Sequence, residues 1–199
     1  LNNPPTAVDF YFEINKNSNN NSFDMFNLVQ DARRISDIDG DNLVISEISQ
    51  PENGQTTTDG QFVYYTPNLD FRSTESFNYT VSDSYETDSA VITISIVNNP
   101  PVPQPDNIVV QKNTVVVMNL LENDSDPNND NITIVALGGS KAVQEVNEDG
   151  TVTYLPLAIT DPYSDSFEYT VSDGDLTATS YVTIVMLNTP PVAYNNTLT

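Results

Sequence analysis

An internal repeat is the feature that most constrains how this 199-residue chain can fold. The segment SFNYTVSD at residues 76–83 returns as SFEYTVSD at residues 166–173, ninety residues later. Self-similarity at a fixed period is the mark of tandem structural units. The chain is therefore expected to fold as tandem copies of one structural unit.

Other landmarks recur in the same order along the chain. They are NPP (3–5 and 99–101), FNL and MNL (26–28 and 118–120), DNL and DNI (41–43 and 130–132), and a Gly-x-x-x-Tyr pattern (60–64 and 150–154). A further Pro-Pro pair stands at 190–191. We therefore predict a first repeat at 1–97, a second at 98–187, and the opening strand of a third at 188–199.

The residue pattern inside each repeat is that of short strands. Apolar and polar residues alternate at period two, so that Phe77, Tyr79 and Val81 share one face. Gly, Pro, Asn and Asp interrupt the pattern about every 8–12 residues, and no stretch has helical apolar spacing. Units of this length and pattern predict an all-β fold with two tandem Greek-key β-sandwiches of about seven strands each. The Pro-Pro pairs predict short, stiff joins and an end-to-end arrangement.

The first repeat carries two extra segments. An asparagine-rich run spans residues 15–21, and an insertion spans residues 31–35. Both are predicted loops, although the second could form a single helical turn. Loops carry function more often than the strands they connect, so these segments are candidates for repeat-specific binding.

Composition excludes several classes of function. The chain has 28 acidic and 6 basic residues, a net charge of -22, and neither His nor Cys. It therefore lacks a Ser-His-Asp triad, a cysteine nucleophile, and imidazole or thiolate ligands for zinc, and we predict that it is not an enzyme. The charge argues against nucleic acid and anionic membranes as partners, and the apolar runs are too short to span a bilayer.

Two acidic loops suggest a hard cation, because Ca²⁺ takes six to eight oxygen ligands. The candidate ligands are Asp37, Asp39 and Asp41 in the first repeat, and Asp124, Asp126, Asp130 and Asn131 in the second. A self-contained EF-hand is excluded, because the twelfth position counted from Asp37 is Ile48 rather than Glu. The alternatives are that these residues only form turns, or that the acidity only provides solubility.

Asp83 and Asp173 end the two recurring segments, and each could be a ligand or a turn cap. We favour the cap, because Asp side chains readily accept hydrogen bonds from the backbone that follows them.

Taken as a set, the motifs resemble the cadherin-like and immunoglobulin-like tandem repeats of very large bacterial surface adhesins, including RTX-type and gliding adhesins. The set runs from Asn-x-Pro-Pro through the Asp-x-Asp loop and Gly-x-x-x-Tyr to Ser-Phe-x-Tyr-Thr-Val-Ser-Asp, and it covers nearly the whole chain. The resemblance implies modules stacked in long arrays and stiffened by calcium at or near their junctions.

The resemblance also implies a set of junction ligands. By analogy with cadherins, the downstream pair is Asp124 and Asp126, with Asn131 beside it. The linker ligands are Asn98 and Asn99, and Glu75 or Asp70 contributes from the upstream module. The linker lacks the run of Asp that is usual in cadherins, which argues against a full set of three junction ions.

We therefore expect a calcium-stiffened extender of a bacterial adhesin, either secreted or on the cell surface, whose immediate partners are neighbouring repeats. Leu1 leads directly into Asn2-Asn3-Pro4-Pro5 with no basic start or apolar stretch typical of a signal peptide, so we expect a segment of a longer exported protein. One alternative is a module that binds a surface glycan or protein through the loops of the first repeat. Another is an accessory region of a secreted hydrolase whose catalytic domain lies elsewhere.

Overall fold

The chain divides into two compact units, unit 1 (Leu1–Asn99) and unit 2 (Pro100–Thr199). The structure is a computed structural model that describes residues 2–30, 33–112, 114–140, 142–156 and 164–187. The predicted opening strand of a third repeat, residues 188–199, lies outside the described residues.

Unit 1 consists of two facing sheets. Its strands are β1 (Phe10–Asn15), β2 (Asn21–Asp24), β3 (Val44–Ile48), β4 (Gly54–Thr58), β5 (Phe62–Pro67), β6 (Thr74–Ser82) and β7 (Thr87–Val97). One sheet has the order β1-β7-β6-β3 and the other β2-β5-β4. The first strand pairs in parallel with the last, whereas the remaining pairs are antiparallel.

Unit 2 repeats this topology. Its strands are β8 (Asp106–Gln111), β9 (Val116–Met118), β10 (Thr133–Gly138), β11 (Val143–Val146), β12 (Val152–Leu155), β13 (Ser164–Ser172) and β14 (Thr177–Leu187). The sheet orders are β10-β13-β14-β8 and β11-β12-β9, and β8 pairs in parallel with β14. The prediction of two all-β sandwiches with about seven strands each is confirmed.

The core lies between the two sheets of each unit, because most strands have one apolar face. On β6, Phe77, Tyr79 and Val81 are all buried, as the alternation predicted. The opposite sheet of unit 1 contributes Val63 and Tyr65 from β5. Unit 2 buries the corresponding residues of β13 and β12.

Two of the sequence landmarks equate the wrong residues. The Gly-x-x-x-Tyr pattern matched Tyr64 with Tyr154, but Tyr65 is the fully buried counterpart of Tyr154. Unit 1 has one more residue between the turn glycine and the first core valine, and a shift of one residue moves a strand side chain to the opposite face.

The second wrong landmark is the match of residues 26–28 with 118–120. Strand register instead equates Phe23 with Met118, because these residues pair with Val63 and Val152, which are both fully buried. Two positions further on, Met25 and Leu120 are also fully buried. The similarity of letters at 26–28 therefore does not reflect a shared position in the fold.

The extra segments of the first repeat are tightly hydrogen-bonded. In the asparagine-rich run, Asn15 ends β1 and Asn21 begins β2, so only the middle of the run is a turn. In the insertion, residues 31 and 32 are outside the described set, and Gln30 and Arg33 form two backbone hydrogen bonds of 2.9 Å with each other.

A buried tyrosine fixes the segment that leads into β1. The Tyr79 hydroxyl donates to the Val8 carbonyl oxygen at 2.6 Å and accepts from the Val8 amide at 3.1 Å. One residue earlier, the Ala7 amide donates to the carboxylate of Asp88 at 2.8 Å. The leading segment is therefore attached to the four-stranded sheet before β1 begins.

We predict that Tyr79→Phe lowers the free energy of unfolding of unit 1 by about 1–3 kcal/mol, because it leaves two buried backbone groups without a partner. Urea titration of the purified chain measures this loss. The control is Tyr85→Phe, since Tyr85 is 80% exposed and should change stability by less than about 0.5 kcal/mol. Equal effects of the two substitutions would contradict the prediction.

The same hydroxyl makes stability depend on alkaline pH. Burial raises the pKa of Tyr79 to about 12, above its ordinary value of 10.0. A raised pKa in the folded state means that this contribution is complete below pH 10 and is lost as the pH rises through 12. Tyr79→Phe should therefore flatten part of the fall in stability between those two pH values.

Candidate metal centres

In unit 1, the acidic loop before β3 is shaped by its own first carboxylate. Asp37 Oδ1 accepts the amide of Asp39 at 2.7 Å and the amide of Asp41 at 3.3 Å. Gly40 has a φ of 78°, a conformation that glycine adopts without strain. The loop is therefore closed by one oxygen of Asp37.

The turn between β6 and β7 is built in the same way. Asp83 follows the last residue of β6, and its Oδ1 accepts the amides of Tyr85 at 2.7 Å and Glu86 at 2.6 Å. These bonds confirm the capping role that the sequence favoured. The hydrogen bond from the Glu86 amide is the largest cause of a lowered pKa of Asp83, and the bond from the Asn2 side chain is the next. The lowered pKa keeps Asp83 ionised.

The loop and the turn meet at one end of unit 1. One carboxylate oxygen from each of Asp37, Asp41 and Asp83 lies within 4.8 Å of the other two. Asp37 Oδ2 is buried and accepts no hydrogen bond from the described residues. Like charges at about 4 Å repel by roughly 1 kcal/mol in water and 4 kcal/mol at an effective dielectric constant of 20, so the arrangement favours a cation.

Unit 2 forms the same cluster from equivalent residues. Asp126, Asp130 and Asp173 meet within 4.8 Å, and each lies 89 or 90 residues after its counterpart in unit 1. Asp126 Oδ1 accepts the amides of Asn128 at 2.7 Å and Asp130 at 3.2 Å. Its Oδ2 is also buried without a donor among the described residues.

Asp173 completes the correspondence. Its Oδ1 accepts the amides of Asp175 at 2.7 Å and Leu176 at 2.6 Å, as Asp83 does in its own turn. In each unit, therefore, two members of the cluster use one carboxylate oxygen to accept backbone amides. The same carboxylates lie close to the other members of the cluster.

The predicted ligand Asp39 lies next to the unit 1 cluster but binds the leading segment. Its Oδ2 accepts the Asn3 amide at 2.7 Å and the Asn3 side chain at 2.9 Å. Beside it, the Asn2 side chain donates to Asp83 Oδ2 at 2.8 Å. Asn2 and Asn3 thereby connect the leading segment to the acidic loop and to the β6–β7 turn.

Asp124 lies apart from the cluster of unit 2. One of its oxygens accepts the Gln104 amide at 2.8 Å and the Tyr169 hydroxyl at 3.0 Å. Asn131 is exposed, and it is not one of the three clustered residues. The structure thus brings Asp126 and Asp130 together, but not with Asp124.

The ligands predicted from the upstream module are held within unit 1. Glu75 is 8% exposed and accepts the Asn53 amide at 2.6 Å and the Tyr65 hydroxyl at 2.8 Å. Asp70 lies 3.8 Å from the ammonium group of Lys16. Asn99 donates its side-chain amide to Asn15 at 2.8 Å, and Asn98 carries a buried side-chain oxygen.

Asp83 and Asp173 are the cluster members that the sequence did not place among the ligands. They stand 46 and 47 residues from Asp37 and Asp126, so no local spacing connects them. The available signal was their recurrence after the same strand motif. A turn cap predicts the same recurrence, which is why the sequence alone could not separate the two roles.

The cluster chemistry fits a hard divalent cation. Three carboxylates supply three to six oxygens, and backbone carbonyls or water can supply the remainder of the six to eight that Ca²⁺ takes. The chain has no His or Cys that could add a nitrogen or sulfur ligand. Oxygen-only coordination is the condition that calcium and magnesium prefer.

The loops proposed for ligand binding use their polar groups internally. In the asparagine-rich run, Asn19 Oδ1 accepts the Thr66 hydroxyl at 3.1 Å, and Asn21 donates to Ser18 Oγ at 3.0 Å. Asn17 Oδ1 accepts the Asp70 amide at 2.8 Å. Much of the asparagine content of this run is therefore used to hydrogen-bond the turn itself.

Two seven-stranded sandwiches, each with a carboxylate cluster at one end, define a tandem immunoglobulin-like repeat protein. The sequence model described as bacterial Ig domain matches residues 2–95 and 98–185. The chain belongs to this family and contains two copies of its domain, which confirms the resemblance drawn from the motifs. A comparison with curated proteins found no match.

Several solved structures resemble the chain at low sequence identity. Human protocadherin-24 EC1-2 is 15% identical with a TM-score of 0.36, and the match covers 96% of this chain and 100% of the protocadherin chain. Drosophila N-cadherin EC1-4 is 14% identical with a TM-score of 0.35, and the match covers 94% of this chain and 50% of the cadherin chain. The endo-fucoidan hydrolase MfFcnA4 is 16% identical with a TM-score of 0.35, and the match covers 94% of this chain and 29% of the hydrolase chain.

The chain thus spans about a third or less of the fucoidan hydrolases that it matches. At these TM-scores the likenesses carry no functional argument. Within the described part of the chain, no helix is long and apolar enough to cross a membrane.

We predict that Asp41→Asn has opposite effects with and without calcium. In chelator it should raise the melting temperature of unit 1 by about 1–4 °C, because it removes one of three mutually repelling charges. In millimolar calcium it should lower the melting temperature, because it removes a ligand. Calorimetry in both buffers measures the two shifts.

The matched control is Glu52→Gln, which removes an exposed carboxylate outside the cluster. It should leave both melting temperatures within about 1 °C of the unsubstituted protein. A fall in stability for Asp41→Asn in chelator would show that the three charges do not repel one another appreciably.

Proposed function

We propose that the two units are structural modules of a large bacterial adhesin, secreted or on the cell surface, and that calcium stiffens them. The observation that carries this proposal is the recurrence of a three-carboxylate cluster at the same end of both units. Membership of the bacterial Ig domain family supports a structural, non-enzymatic role. The partners are then neighbouring repeats, with glycan or protein ligands bound elsewhere in the parent protein.

Calcium would act by joining separate segments of a unit. In unit 1 an ion at the cluster would tie the acidic loop to the β6–β7 turn. The bonds from Asn2 to Asp83 and from Asn3 to Asp39 extend this connection to the leading segment. The direction in which the leading segment enters unit 1 would then depend on whether the site holds an ion.

The same arrangement is proposed for the second repeat. Asn98 and Asn99 precede it in the sequence as Asn2 and Asn3 precede the first. The prediction that these two residues serve the ion site of the second repeat is therefore part of this proposal. Asp124 is not, because its oxygen is held by Gln104 and Tyr169.

Weak binding is sufficient for such a role. Extracellular calcium modules have dissociation constants of about 10⁻⁴–10⁻³ M. At ten times the dissociation constant, an occupied site adds about 1.4 kcal/mol to the stability of its unit. This increment is small beside a typical folding free energy, but it is enough to hold a loop, a turn and a linker in one geometry.

Thermal unfolding with matched substitutions tests the calcium sites. We expect calcium to raise the melting temperature of each unit on the order of 5–10 °C. Asp83→Asn should remove most of the rise in unit 1, and Asp173→Asn most of the rise in unit 2. Asparagine keeps the oxygen that caps each turn, so the loss can be assigned to the ligand.

The controls are Asp59→Asn and Asp149→Asn, which are turn-capping carboxylates outside the clusters. Asp59 Oδ1 accepts the Gln61 and Phe62 amides, and Asp149 Oδ1 accepts the Thr151 amide. Both variants should keep the full response to calcium. A melting temperature that calcium leaves unchanged in the unsubstituted chain would overturn the proposed sites.

Small-angle X-ray scattering tests the stiffening. We expect a larger radius of gyration in calcium than in chelator, because averaging over bent arrangements of two units shortens the mean. Asp126→Asn combined with Asp173→Asn should remove the difference, and Asp149→Asn should keep it. Calcium binding without any change in scattering would leave calcium as a local stabiliser and refute the stiffening role.

A further inference from the structure

The first strands of the two units occupy the same place but carry different residues. Phe10 of β1 pairs with Ile92 of β7, and Asp106 of β8 pairs with Val182 of β14. Ile92 and Val182 are equivalent, since both are fully buried and lie opposite the phenylalanines of β6 and β13. Asp106 therefore stands where unit 1 has Phe10.

A second exchange lies beside the first. Isolated bridges join Thr6 to Ser36 in unit 1 and Val102 to Ser125 in unit 2. The residues before these two serines, Ile35 and Asp124, are therefore equivalent. An aspartate again replaces an apolar residue.

A third exchange completes the corner. The buried tyrosine hydroxyl binds the Val8 carbonyl in unit 1 and the Gln104 carbonyl in unit 2. The corner around this hydroxyl thus contains Val8, Phe10 and Ile35 in unit 1, and Gln104, Asp106 and Asp124 in unit 2.

The two corners differ in the burial and hydrogen bonding of their side chains. In unit 1, Val8, Phe10 and Ile35 are each less than 9% exposed and belong to the core. In unit 2, Asp124 accepts the Tyr169 hydroxyl, but Asp106 Oδ2 is buried without a donor among the described residues. Burial and then the charge of Asp124 raise the pKa of Asp106, while side-chain hydrogen bonds from Tyr169 and Asn123 lower it. Asp106 as a whole is half-buried, and partial burial of a carboxylate opposes folding, whereas burial of a phenylalanine favours it.

We propose that β8 opens far more often in unit 2 than β1 does in unit 1. Local opening has the lowest free energy where buried apolar contacts are few. β8 has one hydrogen-bonded neighbour, β14, so its release leaves the other strand pairs of unit 2 intact. The inference goes beyond the proposed function and does not depend on calcium binding.

Native-state hydrogen exchange of the whole two-unit chain, in chelator at pH 7, tests the proposal. After correction for intrinsic rates, the hydrogen-bonded amides of β8 should exchange at least about tenfold faster than those of β1. Amides of β13 and β6 serve as internal references and should differ much less between the units. Equal protection of β8 and β1 would overturn the proposal.

Substitutions assign the difference to the corner. Asp106→Asn removes the charge with the least change in shape and should slow exchange of the β8 amides. Asp106→Phe combined with Asp124→Ile restores the corner of unit 1 and should slow them further. If both variants fold and leave β8 exchange unchanged, the proposal is wrong.

Hydrogen exchange in calcium tests whether Asp106 and Asp124 bind an ion or instead leave β8 unstable. Exchange is repeated in calcium with Asp126→Asn, which disables the cluster proposed above. We expect β8 to remain fast. Slowing of β8 by tenfold or more in this variant would show that Asp106 and Asp124 hold an ion, and would overturn the proposal without affecting the proposed function.

Discussion

Three carboxylates held within 4.8 Å of one another set the main electrostatic constraint on each unit. In unit 1, two of these carboxylates also shape the backbone beside them. Asp37 and Asp83 each give Oδ1 to backbone amides, and these bonds determine the conformation of the loop and of the turn. One oxygen of each cluster member lies within 4.8 Å of the other two, and a cation would relieve the repulsion between the three charges.

Much of the fold followed from alternation along single strands. Phe77, Tyr79 and Val81 were predicted on one face and are buried together, because period-two spacing is a local property of the backbone. Equivalence between repeats was less predictable. Tyr64 was matched to Tyr154 by letter, whereas the strand pairing assigns that place to Tyr65. A one-residue difference in a turn is invisible in a motif but reverses the face of the strand that follows.

The candidate site shows the same division between local and non-local information. The convergence of Asp37 with Asp41 could be predicted, since both belong to one loop. The arrival of Asp83 could not, because β3 to β6 intervene and only the sheet order brings the β6–β7 turn beside the loop. Asp124 is not one of the three clustered residues, and the contact that it makes instead is also non-local. The Tyr169 hydroxyl on β13 donates to its carboxylate.

The two units therefore share one strand topology but differ in the residues around the buried tyrosine. The acidic end is the same in both, whereas the corner around the buried tyrosine is apolar in one and acidic in the other. In both units the first strand runs parallel to the last, so tension applied at the two ends of a unit is borne along one pair of strands. The acidic cluster and the corner around the buried tyrosine depend on different residues, so a repeat can vary one of them without altering the other.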